Sequence, residues 1–161
     1  MLEGMCCLVI VRPATIWDIS AVVDLFWELD TGAIASQPEH FQRGERSVEY
    51  LSGIINGEKS DFLVADEGGE IVGFSLLYEK EVKGLSLLVP CRYAYIQDFV
   101  VKGSCRNRGI GSQLMTESKS WAKRRGLDYL RLSVLPDNVD AQRFYRRHGL
   151  CEQMISMECK L

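Results

Sequence analysis

Residues 104–115, "SCRNRGIGSQLM", set two arginines, Arg106 and Arg108, just before Gly109-Ile110-Gly111. The run lies between a strand-like segment, "YIQDFVV", and a helix-like segment ending "WAKRRG". Glycines at such a junction let backbone N–H groups come close to a ligand, and the positive end of a helix attracts anions. The chemistry that this spacing suits is the holding of a phosphate-like anion. Two phosphate-binding signatures do not fit. A dinucleotide fingerprint needs a third glycine at position 114, where this chain has Leu114. A P-loop needs Gly-Lys-Ser/Thr, whereas Gly111 is followed by Ser112 and Gln113. A tight turn with solvated arginines is the plainer alternative, and the loop alone leaves both open.

The elements that must position this loop follow from periodicity. "MCCLVIV" reads as a first strand. Thr15 and Asp18 make a capping-box-like start to a helix with Ile19, Val22, Val23, Phe26 and Leu29 on one face. Residues 31–45 read as a loop, followed by a shorter helix marked by Val48, Leu51, Ile54 and Ile55. "DFLVAD", "EGG" and "EIVGFSLLYEKE" form a hairpin. "VKGLSLLVPCR" reads as a connection, because Pro90 is unsuited to a central strand. "YAYIQDFVV" is the next strand, and the helix after the glycine loop has Leu114, Met115, Ser118, Trp121 and Ala122 inside and Gly126 as its stop. "YLRLSVL" alternates as a half-buried strand. "PDNVDAQRFYRRHG" is a short helix, capped by Asn138 and ended by Gly149, with Ala141, Phe144, Tyr145 and His148 on one face. "LCEQMISMECKL" reads as a closing strand. The expected fold is α/β: a mixed, mostly antiparallel sheet of six to seven strands with about four flanking helices. The crossover from Tyr93 to Leu135 supplies one parallel pair.

Composition narrows the classes. A chain of 161 residues without linkers or repeats reads as one domain. A net charge of -3 argues against a nucleic-acid binder; Arg131, Arg143, Arg146 and Arg147 read as solvated helix and strand faces. No apolar stretch is long enough for a membrane span, and the short apolar start lacks the basic region of a signal peptide, so the expectation is cytoplasmic. The six cysteines, Cys6, Cys7, Cys91, Cys105, Cys151 and Cys159, contain no Cys-x-x-Cys pair. Only His40 and His148 could join them as imidazole ligands, so no metal is expected and the thiols read as reduced and mostly buried.

Taken together, "RNRGIG" between a strand and a helix and "NVDAQRFYRRHGL" one strand later resemble the GNAT superfamily of acetyl-CoA-dependent N-acetyltransferases. The resemblance runs from "VRPATIWDI" through "EIVGFSLL" to the end and is strongest from Tyr95 to Leu150. It implies a single such domain over residues 1–161, acting on acetyl-CoA and a primary amine by direct attack through a tetrahedral intermediate. The coenzyme A pyrophosphate would rest on the backbone of Arg106, Asn107, Arg108, Gly109, Ile110, Gly111 and Ser112. Phe99, Val100 and Val101 would offer backbone groups to the pantetheine arm where two strands splay apart, with the Phe99 amide as an oxyanion donor. Asn138, Ala141, Phe144 and Tyr145 would line the cofactor, and Tyr145 would protonate the departing sulfur. The plainer reading of Tyr145 is core packing beside Phe144.

The base is left open. Many relatives carry Glu where this chain has Gln97, which cannot accept a proton. Asp98 is adjacent, but strand alternation sends it to the opposite face. Glu79, Glu81 and Glu28 are other carboxylates, and a water chain past Gln97 is another route. Cys105 suggests a covalent route, but the family transfers directly. The alternative function is a non-catalytic acyl-CoA-binding or sensing module, for which Gln97 is the support. The acceptor, a small molecule or a peptide, remains open among polyamine, amino acid, peptide N-terminus, lysine and aminoglycoside. The resemblance also raises a homodimer, through the last strand.

Overall fold

A computed structural model describes residues 8–84 and 86–161; Cys6, Cys7 and the start of the first expected strand lie outside the described residues. Five strands form one sheet: β1 (Val9–Pro13), β2 (Ser60–Glu67), β3 (Glu70–Val82), β4 (Cys91–Val101) and β5 (Tyr129–Leu132), in that spatial order. The first four run antiparallel to their neighbours, while β4 and β5 are parallel. Helices α1 (Ile19–Ser36) and α2 (Val48–Ile55) lie on one face and α3 (Ile110–Arg124) on the other. A short helix, α4 (Val139–Arg147), follows β5.

Each face has its own core. On the α1–α2 side, Phe26, Phe62 and Phe74 meet edge to face or tilted, with centroids 4.7–6.2 Å apart, and Val22, Leu51, Leu76 and Val100 pack around them. On the α3 side, Leu114, Met115, Trp121 and Ala122 pack on Leu63, Leu77, Ala94 and Ile96. The β2–β3 turn is Gly68-Gly69, with φ of 63° and 96°, which only glycine adopts freely at both positions of so tight a hairpin. Gly73 lets β4 and α3 come close, since a Cβ there would stand 2.8 Å from the Val100 carbonyl oxygen and 3.2 Å from the Leu114 side chain.

Four expectations need correcting. Among the described residues the sheet has five strands rather than six to seven, because residues 151–161 form no ladder. A strand exists only against a neighbour, and this segment meets none among the described residues; it is exposed, held by His40–Glu158 (3.1 Å) and Lys160–Glu39 (3.3 Å). Residues 31–36 continue α1 instead of starting a loop: Ala33, Ile34 and Ala35 sustain the helix, and Pro38 is the first residue that cannot. Val23 is exposed, and Leu25 takes the inner place beside Phe26. Of the four described cysteines only Cys105 is buried; Cys91 is half-buried, and Cys151 and Cys159 are exposed.

The start of α1 is tied to the sheet edge by charge. Arg12 on β1 forks onto Asp18 at 2.8 and 2.9 Å and also reaches Asp66 on β2 at 2.9 Å. Asp18 accepts from the Thr15 N–H at 2.7 Å as well, completing the cap that the sequence suggests. The Arg12 hydrogen bond holds the Asp18 carboxyl down at about 2, against an ordinary 3.8. A depressed carboxylate pKa contributes stability that is present above the ordinary value and lost as pH falls through the folded one. Asp18→Asn should therefore lower stability by about 1–2 kcal/mol at pH 7, and the deficit should shrink between pH 4 and pH 2. Urea unfolding at the two pH values checks this, and an unchanged deficit at pH 2 would contradict it.

Candidate active site

The parallel pairing of β4 with β5 covers only Tyr93–Ile96 against Tyr129–Leu132. Beyond it, Phe99, Val100 and Val101 still pair with Ser75, Phe74 and Gly73 of β3, but their other edge has no strand beside it. The parting begins at a bulge. Leu77 opposes Ile96 and Leu76 opposes Asp98, so Gln97 stands without a partner. The extra residue also exchanges the faces of β4. Ile96 packs toward α3, whereas Val100, an even number of residues later, packs toward α1 and α2. Asp98 faces the same side as Val100.

The open edge leads to the glycine loop. Gly109 takes a left-handed conformation (φ 82°) as the cap of α3, and Asn107 does the same at φ 61°. The first N–H to bond back is that of Gln113, to the Gly109 carbonyl. The N–H groups of Ile110, Gly111 and Ser112 thus stand free at the positive end of a 15-residue helix. Gly111 is packed closely, with a Cβ there 3.3 Å from the Phe144 ring. Neither arginine is simply solvated. Arg106 donates to the Val101 carbonyl (3.0 Å) and to Glu28 of α1 (3.0 Å), and Glu28 also accepts from the Gly103 N–H (2.7 Å). Arg108 pairs with Glu67 at the end of β2. The arginines brace the loop and leave the amides at the start of α3 unpaired.

Helix α4 closes the far side of the gap. Asn138 caps it, its side-chain oxygen accepting from the Ala141 N–H at 3.2 Å. Phe144 and Tyr145 turn toward β4, with ring centroids 5.7 and 6.2 Å from that of Phe99. Burial among these rings pushes the Tyr145 phenol up to about 12, and among the described residues its hydroxyl has no hydrogen-bond partner. His148 sits against Phe144 (4.5 Å) and shares a 3.1 Å hydrogen bond with Ser112, so α4 is fastened to the first turn of α3.

On the α1–α2 side the bulge opens into a cleft of about 580 Å³, lined by Phe26, Arg46, Tyr50, Tyr78, Gln97 and Asp98 among others. Gln97 and Asp98 both reach it. The alternation that would separate them is cancelled by the bulge, which is the correction to the expectation about Asp98. Burial pushes the Asp98 carboxyl up to about 6, only partly offset by Arg46, which is itself held by Asp30 at 2.7 Å. No side chain among the described residues hydrogen-bonds to Asp98. Glu79 is elsewhere: Arg92 (2.7 Å) and Arg125, just past α3 (3.3 Å), hold it, and the first of these keeps its pKa low. Glu81 pairs with Lys83, and Glu28 belongs to the loop brace. The site therefore gathers Phe99, Tyr145, Asp98 and the 106–112 loop around one strand edge, and leaves Glu79 and Glu81 out. Tyr50, Tyr78 and Arg46 belong to the cleft without having been singled out from the sequence, since nothing in their spacing tied them to residues 97 and 98. Among the described residues no three His, Cys, Asp or Glu side chains form a group able to hold a metal, and no helix is long and apolar enough to cross a membrane.

Comparison with known proteins bears on this arrangement. The family described as "Acetyltransferase (GNAT) family" matches residues 19–150. The chain is 26% identical over 143 residues to the uncharacterized N-acetyltransferase YhfO of Bacillus subtilis, covering 86% of this chain and 87% of that one. It superposes on a tetramutant of the BH1408 protein of Bacillus halodurans with a TM-score of 0.89 and 27% identity, over 94% of this chain and 99% of that one. The aminoglycoside N-acetyltransferase AAC(6')-Iy, solved in complex with CoA, shares the fold at a TM-score of 0.73 and 15% identity, over 99% of each chain.

The geometry around Asp98 makes its own claim. With a folded pKa above the ordinary carboxylate value, ionising this group costs stability as pH rises from 4 through 6. In a carbon-13 titration of aspartate-labelled protein, one carboxyl should titrate near pH 6, and Asp98→Asn should remove that resonance. If every aspartate titrates near 4 or below, the carboxyl is not desolvated as described.

Proposed function

The chain belongs to the acetyltransferase (GNAT) family, and we propose that it moves an acetyl group from acetyl-CoA to a primary amine. The observation that carries this is the unpaired edge of β4 running into the free amides at the start of α3. An extended amide-bearing arm can add to such an edge as a strand does, and a diphosphate suits the converging N–H groups beyond it. The residues that would hold coenzyme A are Phe99 and the backbone of 106–112, with Ala141 and Phe144 against the arm and the Asn138 amide group free to join them; the Val100 backbone faces β3 instead. The Val101 carbonyl is already taken by Arg106, so its share is small. Acetyl-CoA supplies an acetyl group activated as a thioester.

This chain's residues then divide two proton tasks. Asp98, ionised at neutral pH but with a pKa near 6, accepts the proton that an attacking amine must lose. Its cleft lies on the α1–α2 side, so the amine arrives from that face. Tyr145, protonated at all ordinary pH values, holds its proton at Oη with no protein acceptor nearby and donates it toward a departing sulfur. The Phe99 N–H, near the bulge, is the donor toward the oxygen of the attacked carbonyl. Gln97, unable to accept a proton, is not needed as the base, which weighs against the non-catalytic reading.

Two experiments test this. Gly109→Asp adds a side chain at φ 82° and a negative charge beside the proposed diphosphate, so acetyl-CoA binding measured by calorimetry should weaken by about tenfold or more. Unchanged affinity in the folded variant would remove the cofactor site from this loop. Tyr145→Phe keeps the ring and deletes the proton donor. Its turnover number on a reactive amine should fall by about a hundredfold, with acetyl-CoA affinity little changed. Normal turnover with only a shifted melting temperature would return Tyr145 to a packing role.

A further inference from the structure

The cleft beside Asp98 continues along the face of β3, β4 and β5 that α1 and α2 leave uncovered. Tyr78 and Lys80 on β3, and Tyr93 and Tyr95 on β4 before the bulge, share this face, as does Arg131 of β5, paired with Tyr95. The Lys80 ammonium lies 4.0 Å over the Tyr95 ring and lines the cleft. Its sequence neighbours Glu79 and Glu81 give it no partner, because both are held by other cations. Among the described residues, Lys80 meets no carboxylate within 4 Å. Arg131 continues the row, 4.4 Å over Tyr93 and 5.2 Å over Tyr129, again without a carboxylate within that distance.

The other charges of the cleft are accounted for differently. Arg46 is neutralised by the two oxygens of Asp30. Asp98 is the buried carboxylate, and the charges close enough to act on it are Arg46 and Asp30; Lys80 stands farther off. Glu45 lies exposed at the cleft's mouth. A cleft meant for a purely cationic ligand would not keep an unpaired ammonium on its aromatic floor, over a Tyr95 ring that lies three strand residues before its carboxylate, a separation of roughly 10 Å.

We infer that the amine acceptor carries an anionic group, a carboxylate or a phosphate, remote from its amine, and that Lys80 holds this group while Asp98 faces the amine. This rests on the acetyltransferase reading above. Lys80 is a binding residue for the acceptor and takes no part in proton transfer. Arg131, further along the same face, extends the positive potential toward longer acceptors.

The test compares 6-aminohexanoate and 6-aminohexyl phosphate with hexylamine and 1,6-diaminohexane as acceptors. The anionic amines should exceed hexylamine in kcat/KM by about tenfold, the scale of one charge-assisted contact, and the diamine should be poorest. Which anionic amine leads decides between carboxylate and phosphate. Lys80→Gln should abolish the preference by raising KM for the anionic amines alone, Lys80→Arg should restore it, and Lys80→Glu should turn it toward the diamine. Equal or better use of hexylamine or the diamine by the native protein, or a preference untouched by Lys80→Gln, would overturn the inference and leave the acetyltransferase reading intact. Calorimetric titration of 6-aminohexanoate into protein saturated with coenzyme A reads the contact without turnover. Binding lost in Lys80→Gln supports the inference even if no amine is acetylated, whereas no binding to the native protein overturns it. Failure of acetyl-CoA itself to bind would instead overturn the underlying reading.

Discussion

One unopposed residue, Gln97, governs the arrangement of this molecule. A bulge bends its strand and adds local twist, and β4 leaves β5 at Ile96, the residue just before it. Without the insertion, Ile96 and Val100 would share a face and Phe99 would look the other way. With it, Val100 joins the phenylalanine core under α1, while Phe99 and Val101 turn to the α3 and α4 side. The same residue therefore opens the edge, aims Phe99 at the rings of α4, and lets Asp98 enter the cleft beside Gln97. No other single feature couples the two sides of the site so directly.

Helix α1 supplies the second level of constraint, because it serves both halves at once. Phe26 lines the cleft, Glu28 braces the loop through Gly103 and Arg106, and Asp30 holds Arg46 over the Phe26 ring at 4.0 Å. Arg108 finds Glu67 at the end of β2, so the loop is tethered to a helix on one face and to the sheet itself. The physical consequence is a separation of duties. Side-chain charge near the loop is spent on internal carboxylates, and in the proposed site the attraction for a diphosphate would fall to oriented amides, which need no reorganisation.

Local rules made much of this legible from sequence. The diglycine turn, the inner face of α3 from Leu114 to Ala122, and the Asn138 cap all follow from neighbours within a few positions, and each stands as expected. What failed depended on partners distant in sequence. Alternation put Asp98 on the wrong side because a bulge is a property of the β3–β4 register, not of the string "YIQDFVV". The terminal segment has strand-like residues, but strand character is realised only against another edge, and none among the described residues reaches it. The end of α1 is hidden from the sequence because Thr31 and Gly32 look like turn formers, while Thr31 instead bonds back to the Trp27 carbonyl and accepts from Arg43. The partners of the loop's arginines escape the sequence for the same reason: Glu28 and Glu67, which engage them, lie 78 and 41 residues away.

The opposed environments of Asp98 and Tyr145 explain why a strand edge is a suitable place for the proposed transfer. Both groups are shifted by burial, yet the shift does opposite things for them. For Tyr145, desolvation among Phe99 and Phe144 strengthens the hold on a proton already present at neutral pH. For Asp98, the same effect brings a carboxylate closer to neutrality, where it remains ionised but gains affinity for a proton. Had the two shared one face, the phenol would hydrogen-bond to the carboxylate, and that contact would pull the Asp98 pKa back down and tie up the tyrosine proton. The bulge prevents it by turning Asp98 to the α1–α2 side while Phe99 turns toward Tyr145. A filled donor and an empty acceptor are thus held apart by one backbone, and the only ground common to both is the open edge itself.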